Sequence, residues 1–422
     1  MDMEKNNVSR NELNCDTSCA AVTNGNDGPD GTAQTVPLAP ESFQPHDTQD
    51  SHSPSDDRDV KIMTPYIKIS AAAAILAVVV LTASLLSVDF AEWYARTVGQ
   101  WIRAILGIIS GWIPFSLAEC LLLCILPLAA AYIIKAWKAI GASDSRRVFL
   151  AQLLPAVALL FNLVSVYFLG FGTSNYRLPL EQNVGLERND VSAEELYDTS
   201  LIISSELALL EPELERTPSG DAVMPYSFYR LSILLNEAYA DYCADNDYIS
   251  TFPALGKPVA MSEPMTYTHI SGVYSYFTGE ANVNINYPDY ILPYTLAHEM
   301  AHQRGIARED EANFVAFLVC MESEDPYIRY SALLNMQEYV MSALGRASSK
   351  LYSSAYYAMN GGVRAELAAY GEFFDKYRES VAADVTDSVN NAFLQAQGQT
   401  EGTRSYGTVV DLAVAYYKRG AN

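Results

Sequence analysis

The sequence is poor in histidine, cysteine and positive charge. Its 422 residues include only 5 His and 6 Cys, and 27 Lys and Arg stand against 50 Asp and Glu, which leaves a formal net charge of −23 at pH 7. Binding to a nucleic-acid backbone depends on Lys and Arg in excess. Cysteine at this density does not build a small disulfide scaffold. The composition therefore argues against nucleic acid as a partner and against a disulfide-rich protein.

The charge is distributed unevenly along the chain. Residues 1–60 carry 12 acidic and three basic residues, and their few apolar residues follow neither a helical nor a strand period. Such a segment cannot bury enough apolar surface to offset its chain entropy. No basic start leads directly into an apolar run, so the segment does not resemble a signal peptide. We therefore expect residues 1–60 to form a disordered acidic tail.

Three apolar runs follow the tail, at about 69–88, 115–137 and 149–171. The first has 20 residues without a charge, which as a helix is about 30 Å long and matches the hydrocarbon core of a bilayer. A buried core helix can resemble one such run, but three close together favour transmembrane helices. The sequence thus predicts a membrane domain at 61–175, with the lipid bilayer as its partner.

The distribution of Lys and Arg predicts an orientation. The loop between the second and third runs, with its flanks, holds Lys135, Lys138, Arg146 and Arg147, whereas the two arginines between the first and second runs are offset by two acids. Basic loops stay in the cytoplasm. We expect a multi-pass protein with a cytoplasmic amino terminus, and with every residue after the third run outside the cytoplasmic membrane.

The stretch 90–113, between the first two runs, is rich in aromatic residues. These are Trp93, Tyr94, Trp101 and Trp112. Tryptophan and tyrosine are enriched at membrane–water interfaces. The pattern predicts an amphipathic segment that lies in the interface on the outer side.

Residues 176–422 have the composition of one soluble, anionic domain. Apolar residues recur every three or four positions in several stretches, which predicts helices at 191–215, 228–243, 308–323, 326–346, 361–383 and 405–418. A small strand region is expected at 257–286, because residues 281–286 alternate apolar and polar. The expected fold is α+β and mostly α, with three amino-terminal transmembrane helices and a small sheet.

The motif H-E-x-x-H at residues 298–302 is the candidate for metal binding and catalysis. In a helix, residues four apart lie on one face, so His298 and His302 can bind one Zn²⁺ together. Glu299 lies beside them, where it can take a proton from zinc-bound water. Gly305 is suited to end the helix just beyond the motif. The sequence therefore predicts a zinc site with a catalytic glutamate.

A catalytic zinc site needs a third protein ligand. One metalloprotease pattern places a third histidine six residues after the second, but Arg308 occupies that position here. The next predicted helix opens with Glu309, Asp310 and Glu311. Because Glu311 begins the apolar face of that helix, we rank it first as the third ligand, Asp310 second and Glu309 third. Acids in a first turn also interact with the helix dipole, so each one alone is a weak signal.

These motifs resemble a family of bacterial membrane proteins catalogued as domain of unknown function 3810. The three amino-terminal runs carry the resemblance together with the segments Thr278–Asn282, His298–Gly305, Asp310–Phe314 and Gly402–Gly407. It covers about residues 65–420 and leaves out the acidic tail. The resemblance implies a zincin-like metallopeptidase fold with two His and a Glu as ligands, in a bacterial cell membrane. It implies no particular substrate.

A peptidase also needs a donor that stabilises the transition state and a surface that holds the substrate. His269 is the only other histidine after residue 175, and several tyrosines are further candidates: Tyr274, Tyr276, Tyr330 and Tyr406. The strand at 281–286 could be an edge strand that pairs with an extended substrate. Alternatively, Asn282, Asn284 and Asn286 simply face water.

The function expected from the sequence is that of a membrane-anchored zinc metallopeptidase. It would hydrolyse a peptide or protein, for example in the cell envelope, by Glu-assisted attack of zinc-bound water. One alternative is a non-enzymatic, zincin-like sensor or binding protein for a cell-envelope ligand, although the tail is a poor candidate for an effector domain. A second alternative, a closed structural zinc site, would not require Glu299.

Overall fold

The computed structural model describes residues 64–142, 146–218, 220–378, 380–396 and 409–421. The predicted acidic tail and Tyr406 lie outside these residues. Five helices make up the first part: α1 (Thr64–Leu86), α2 (Val88–Tyr94), α3 (Gln100–Gly111), α4 (Leu117–Gly141) and α5 (Arg146–Gly170).

Three of these helices, α1, α4 and α5, are 23–25 residues long and apolar enough to cross a membrane. The prediction of three such helices is confirmed, with boundaries shifted by a few residues. The Asn162 amide of α5 donates hydrogen bonds to the Tyr66 and Ser70 hydroxyls of α1, at 3.1 and 2.9 Å. Helix α4, in contrast, buries none of its residues. The apolar surfaces of these helices fit association with a membrane.

The stretch predicted to be amphipathic consists of α2, a π-helix (Ala95–Gly99) and α3. Its three tryptophans are exposed, whereas Glu92 and Arg103 are buried against the rest of the protein. The Arg103 guanidinium donates to the carbonyls of Ala95 (2.8 Å) and Gly170 (3.0 Å). The two charged side chains are therefore internal together with Tyr94, which is 4% exposed, and the tryptophans face outward.

The remainder of the chain is mostly helical. Its helices are α6 (Leu180–Val184), α7 (Ala193–Leu210), α8 (Phe228–Asp245), α9 (Ser262–Thr266), α10 (Ile291–Gln303), α11 (Glu309–Glu322), α12 (Pro326–Ala347), α13 (Ser349–Ala358), α14 (Gly361–Asp375), α15 (Val381–Ala396) and α16 (Val409–Ala421). The single helix predicted at 361–383 is two helices, because the chain bends after Asp375 and the Ser380 hydroxyl caps α15 by accepting from the Ala383 amide.

The small sheet has three strands: β1 (Lys257–Pro258), β2 (Gly272–Ser275) and β3 (Glu280–Val283). Their order is β1-β3-β2, with β3 parallel to β1 and antiparallel to β2. The strand predicted at 281–286 is therefore the central strand, and it ends at Val283. The expectation of an edge strand there is wrong, because β3 has a neighbour on each side and all four of its residues are buried. Asn282 and Asn284 are buried as well.

The sheet is bound directly to the start of helix α4. The buried Glu280 carboxylate of β3 accepts hydrogen bonds from the backbone amides of Leu117 (3.1 Å) and Ala118 (2.8 Å). These are amides of the first turn of α4, which have no partner within the helix. The Lys257 ammonium of β1 donates to the Ile113 carbonyl just before α4. The described residues from Thr64 onward accordingly belong to one compact unit.

Replacing Glu280 with glutamine tests this junction. The amide removes the negative charge and one of the two acceptors from a fully buried position, so we expect the free energy of unfolding to fall by about 1–3 kcal/mol. Glu119→Gln is the matched control, since Glu119 also accepts from two backbone amides (Ala260 and Met261) but is partly exposed. It should cost less than about 1 kcal/mol. The measurement is chemical unfolding of the full chain in detergent. Equal losses of unfolding free energy in the two variants would contradict a special stabilising role for Glu280.

Candidate metal centre

Helix α10 carries the H-E-x-x-H motif through the interior of the protein. Twelve of its thirteen residues are buried, and His298 alone is partly exposed. The helix ends as its sequence predicts: Gly305 has φ +94°, its amide donates to the His302 carbonyl, and the Ile306 amide donates to the Ala301 carbonyl. This pair of hydrogen bonds is the Schellman ending of a helix. It turns the chain sharply and leads into α11 beside the histidines.

A carboxylate of α11 reaches both histidines. The Nε2 atoms of His298 and His302 are 3.0 Å apart. Glu309 places one carboxylate oxygen 3.3 Å from the His298 Nε2 and the other 3.6 Å from the His302 Nε2. Among the described residues, these three form the one cluster of His, Cys, Asp and Glu with metal-ligand spacing.

The three donor atoms fit a divalent metal ion. Ligands about 2.0–2.1 Å from a tetrahedral zinc ion are about 3.3 Å from one another. The two Nε2 atoms are 3.0 Å apart, and each has one of the two Glu309 oxygens at 3.3 or 3.6 Å. The His302 Nδ1 lies 2.7 Å from the Ile306 carbonyl, to which it donates. A second hydrogen bond of this kind orients metal-binding imidazoles and leaves the other nitrogen as the ligand. Two imidazoles and one carboxylate are the donor set of many catalytic zinc sites.

The structure does not bring Glu311 to the histidines. Its carboxylate accepts from the Arg308 guanidinium (2.7 Å) and from the Leu180 amide (3.0 Å). Asp310 pairs with Arg188 at 2.9 Å. The ranking from the sequence assumed that the apolar face of α11 is the one that meets α10. Helix α11 is buried almost all round, so its apolar residues do not indicate which face meets α10. The face that meets α10 carries Glu309.

Glu299 lies under strand β2. A Cβ atom on Gly272 would be only 2.5 Å from a Glu299 carboxylate oxygen, so this glycine allows the strand to approach the helix. The backbone amide of Tyr274 in the same strand lowers the pKa of Glu299, against the larger effect of burial. The carboxylate is therefore held between the histidine helix and an edge strand of the sheet.

The site is strongly polarised. Burial raises the pKa of the Glu299 carboxyl to about 7, although the two histidines oppose this shift. Burial also disfavours the charged form of His302, but Glu309 outweighs it and raises the pKa of His302 to about 9. In return, the histidines hold the pKa of Glu309 well below its usual range, against the effect of burial. Glu309 and His302 thus favour each other's charged forms, whereas burial favours the neutral form of Glu299.

One wall of the site comes from the end of helix α5. The Phe171 ring meets the His302 ring edge-on, with centroids 5.9 Å apart. Tyr274 and Tyr276 of the β2 segment pack on the same phenylalanine, at 5.3 and 6.2 Å. Since Phe171 directly follows the last residue of α5, the candidate centre lies next to the end of a membrane-span helix.

The other predicted site residues lie elsewhere. His269 faces the carbonyl of Tyr377 and the ring of Phe374. The Asn282 amide donates to backbone carbonyls of the sheet, and the Asn284 amide donates to the Thr266 hydroxyl and to a neighbouring carbonyl. The two asparagines thus stabilise the sheet and its connections, and they neither face water nor form an edge.

Sequence reasoning missed the contacts that assemble the site. Gly305 was interpreted only as the end of a helix, but a Cβ there would also be 2.4 Å from the guanidinium of Arg103. Arg177 donates to the Gly305 carbonyl (3.2 Å) and to both carboxylate oxygens of Glu92. The one available signal was the presence of charged residues, Glu92 and Arg103, in an otherwise apolar interfacial stretch. Nothing in the sequence indicates that these side chains reach the end of α10.

Comparison with known proteins identifies one family. The model of the family described as Protein of unknown function (DUF3810) matches residues 94–414, a stretch that includes all of α10 and α11. No curated protein and no solved structure matches the chain. Because the family match covers most of the sequence, the chain belongs to the family of proteins of unknown function DUF3810.

Proposed function

We propose that the protein is a zincin-like, membrane-anchored metallopeptidase. The observation that carries this proposal is the convergence of His298, His302 and Glu309 on one point, with Glu299 beside them under a sheet edge. These three residues would hold the ion. When bound, zinc would act as a Lewis acid on the scissile carbonyl and would increase the acidity of water. A structural zinc site would have no use for Glu299, the second buried carboxylate.

The role proposed for Glu299 is that of a general base and acid. It would accept a proton from the attacking water and then pass it to the leaving amine. Its position supports this role, because it is buried, directly follows His298 in the helix, and lies against Gly272 of strand β2. Phe171 and its aromatic neighbours would exclude bulk water from one side.

Strand β2 is the better candidate for holding an extended substrate. It is at the edge of the sheet, with β3 as its one partner strand, and it runs directly over Glu299. Extended peptides commonly bind by adding a strand to such an edge. This proposal replaces the sequence-based interpretation of residues 281–286 as the substrate-binding edge.

We further propose that the domain carried by α6–α16 is outside the cytoplasmic membrane of a bacterial cell. Ser205→Cys, on the exposed side of α7, should react with a membrane-impermeant maleimide in intact cells. Ala142→Cys, at the exposed end of α4 in the basic loop, should react only after lysis. The two variants are compared in a chain without other cysteines. The reverse pattern would contradict the orientation.

Metal binding distinguishes Glu309 from Glu311. Glu309→Gln should lower zinc affinity by at least about 10²-fold, more than an outer-shell change does, because it weakens a direct ligand. Glu311→Gln is the matched control: it changes the same chemical group two residues away and should retain zinc. The measurement is zinc stoichiometry of the purified full chain, followed by competition with chelators of graded affinity. Loss of zinc from the Glu311 variant alone would restore the ranking from the sequence.

Hydrolysis is tested through Glu299. Glu299→Gln should keep the fold and one zinc ion per chain, because glutamine has nearly the same size and shape and all three proposed ligands remain. It should lower turnover by about 10²–10⁴-fold, because an amide cannot take up the proton. The readout is cleavage of a peptide library by wild type and variant, with zinc content measured on the same preparations. A sensor would keep ligand binding in this variant, and full cleavage activity would remove the proposed mechanism.

A further inference from the structure

Helix α15 has three distinct faces. Ala383 and Leu394 are buried against the protein and define the docked face. Val381, Val385 and Val389 are 80%, 58% and 64% exposed, and four-residue spacing places them along one side of the helix. Phe393 continues this stripe. The stripe is apolar, is not covered by any described part of the chain, and lies beside the docked face.

The remaining side of α15 is polar. Asp387 is exposed and lies about 200° around the helix from Val385. Asp384, three residues before Asp387, is also exposed and lies on the same polar side. A helix that is docked along one face, apolar on one side and polar on the other separates an apolar environment from an aqueous one.

Both ends of α15 lie near the ends of membrane-span helices. At its carboxyl end, the Phe393 ring packs on Tyr167 in the last turn of α5, with centroids 5.9 Å apart. At its amino end, the Ser380 hydroxyl donates to the carbonyl of Tyr267, the residue that follows α9. The chain leading into α9 is bound to the first turn of α4, through the Met261 amide and Glu119.

The ends of α4 and α5 that contact this region are on the same side of the membrane, because α4 begins there and α5 ends there. Helix α15 is about 24 Å long and connects the neighbourhoods of these two ends. Both of its ends are thus connected to the side on which α4 begins and α5 ends. The exposed tryptophans of α3, which directly precedes α4, are a second apolar surface at this end.

We propose that α15 lies in the membrane surface, with Val381, Val385 and Val389 inserted among the lipids of the leaflet that faces the soluble domain. The partner is a lipid surface, with which the apolar span helices also fit an association. Phe393 makes the stripe continuous with α5. This inference is independent of the metal centre and of hydrolysis.

Fluorescence quenching in lipid tests this placement. The full chain, with its other cysteines replaced, is labelled with an environment-sensitive fluorophore at Val385→Cys and reconstituted into nanodiscs that hold one copy each. Asp387→Cys is the matched control on the polar side of the same helix turn. Lipids carrying a nitroxide near the head group should quench residue 385 at least threefold more than residue 387, whereas aqueous iodide should show the reverse order.

Two other results would overturn the proposal. Strong quenching of residue 385 by iodide, with none by nitroxide lipids, would show that the stripe faces water. Protection of residue 385 from both quenchers would show that protein covers it, either a second copy or another segment of the chain. Because a label can disturb folding, Val389→Cys is measured in parallel with a nitroxide side chain, whose exposure to oxygen should exceed its exposure to a water-soluble nickel complex.

Discussion

Burial of the histidine helix is the constraint on which the rest of the structure depends. Helix α10 carries charged and polar groups through the interior, and each needs a partner there because an unpaired buried polar group costs free energy. Gln303 donates to the Gly279 carbonyl, and Arg304 donates to the Phe252 carbonyl and the Asn236 side chain. The Arg304 guanidinium also stacks on Tyr239, 4.0 Å from the ring centroid. An arginine that would be unexpected on a buried helix is thereby accommodated.

Further contacts at the end of α10 come from segments next to the span helices. Arg103 packs on Gly305, Arg177 connects Gly305 to Glu92, and Phe171 covers His302. Glu280 joins the sheet to the start of α4. The end of α10 and the ends of the spans therefore share one set of buried contacts. A candidate centre built in this way is held at the ends of these helices, and a change in the packing of α5 would reach His302 through a single aromatic contact.

The electrostatic arrangement follows from the same burial. Glu309 and His302 stabilise one another's charged forms, whereas Glu299, one residue from His298, has its pKa raised by burial. Two carboxylates in one site are thus driven in opposite directions by their surroundings, which is the usual way in which a protein separates a binding carboxylate from one that exchanges protons. This difference in pKa between the two carboxylates depends on which face of α11 meets α10, since only Glu309 in the first turn of α11 lies close to the histidines.

The sequence by itself determined the local features of this protein. Twenty or more apolar residues can form a membrane-length helix without any tertiary information, and the i, i+4 spacing of His298 and His302 requires only a helix. Gly305 ended that helix as expected. The tertiary structure alone decided which acid of the Glu309–Glu311 run lies at the histidines, because a helix buried all round has no apolar face to read. It also made β3 central, since strand order depends on pairings that alternation of residues does not encode. The aromatic wall from α5, far away in sequence, was likewise decided only by packing.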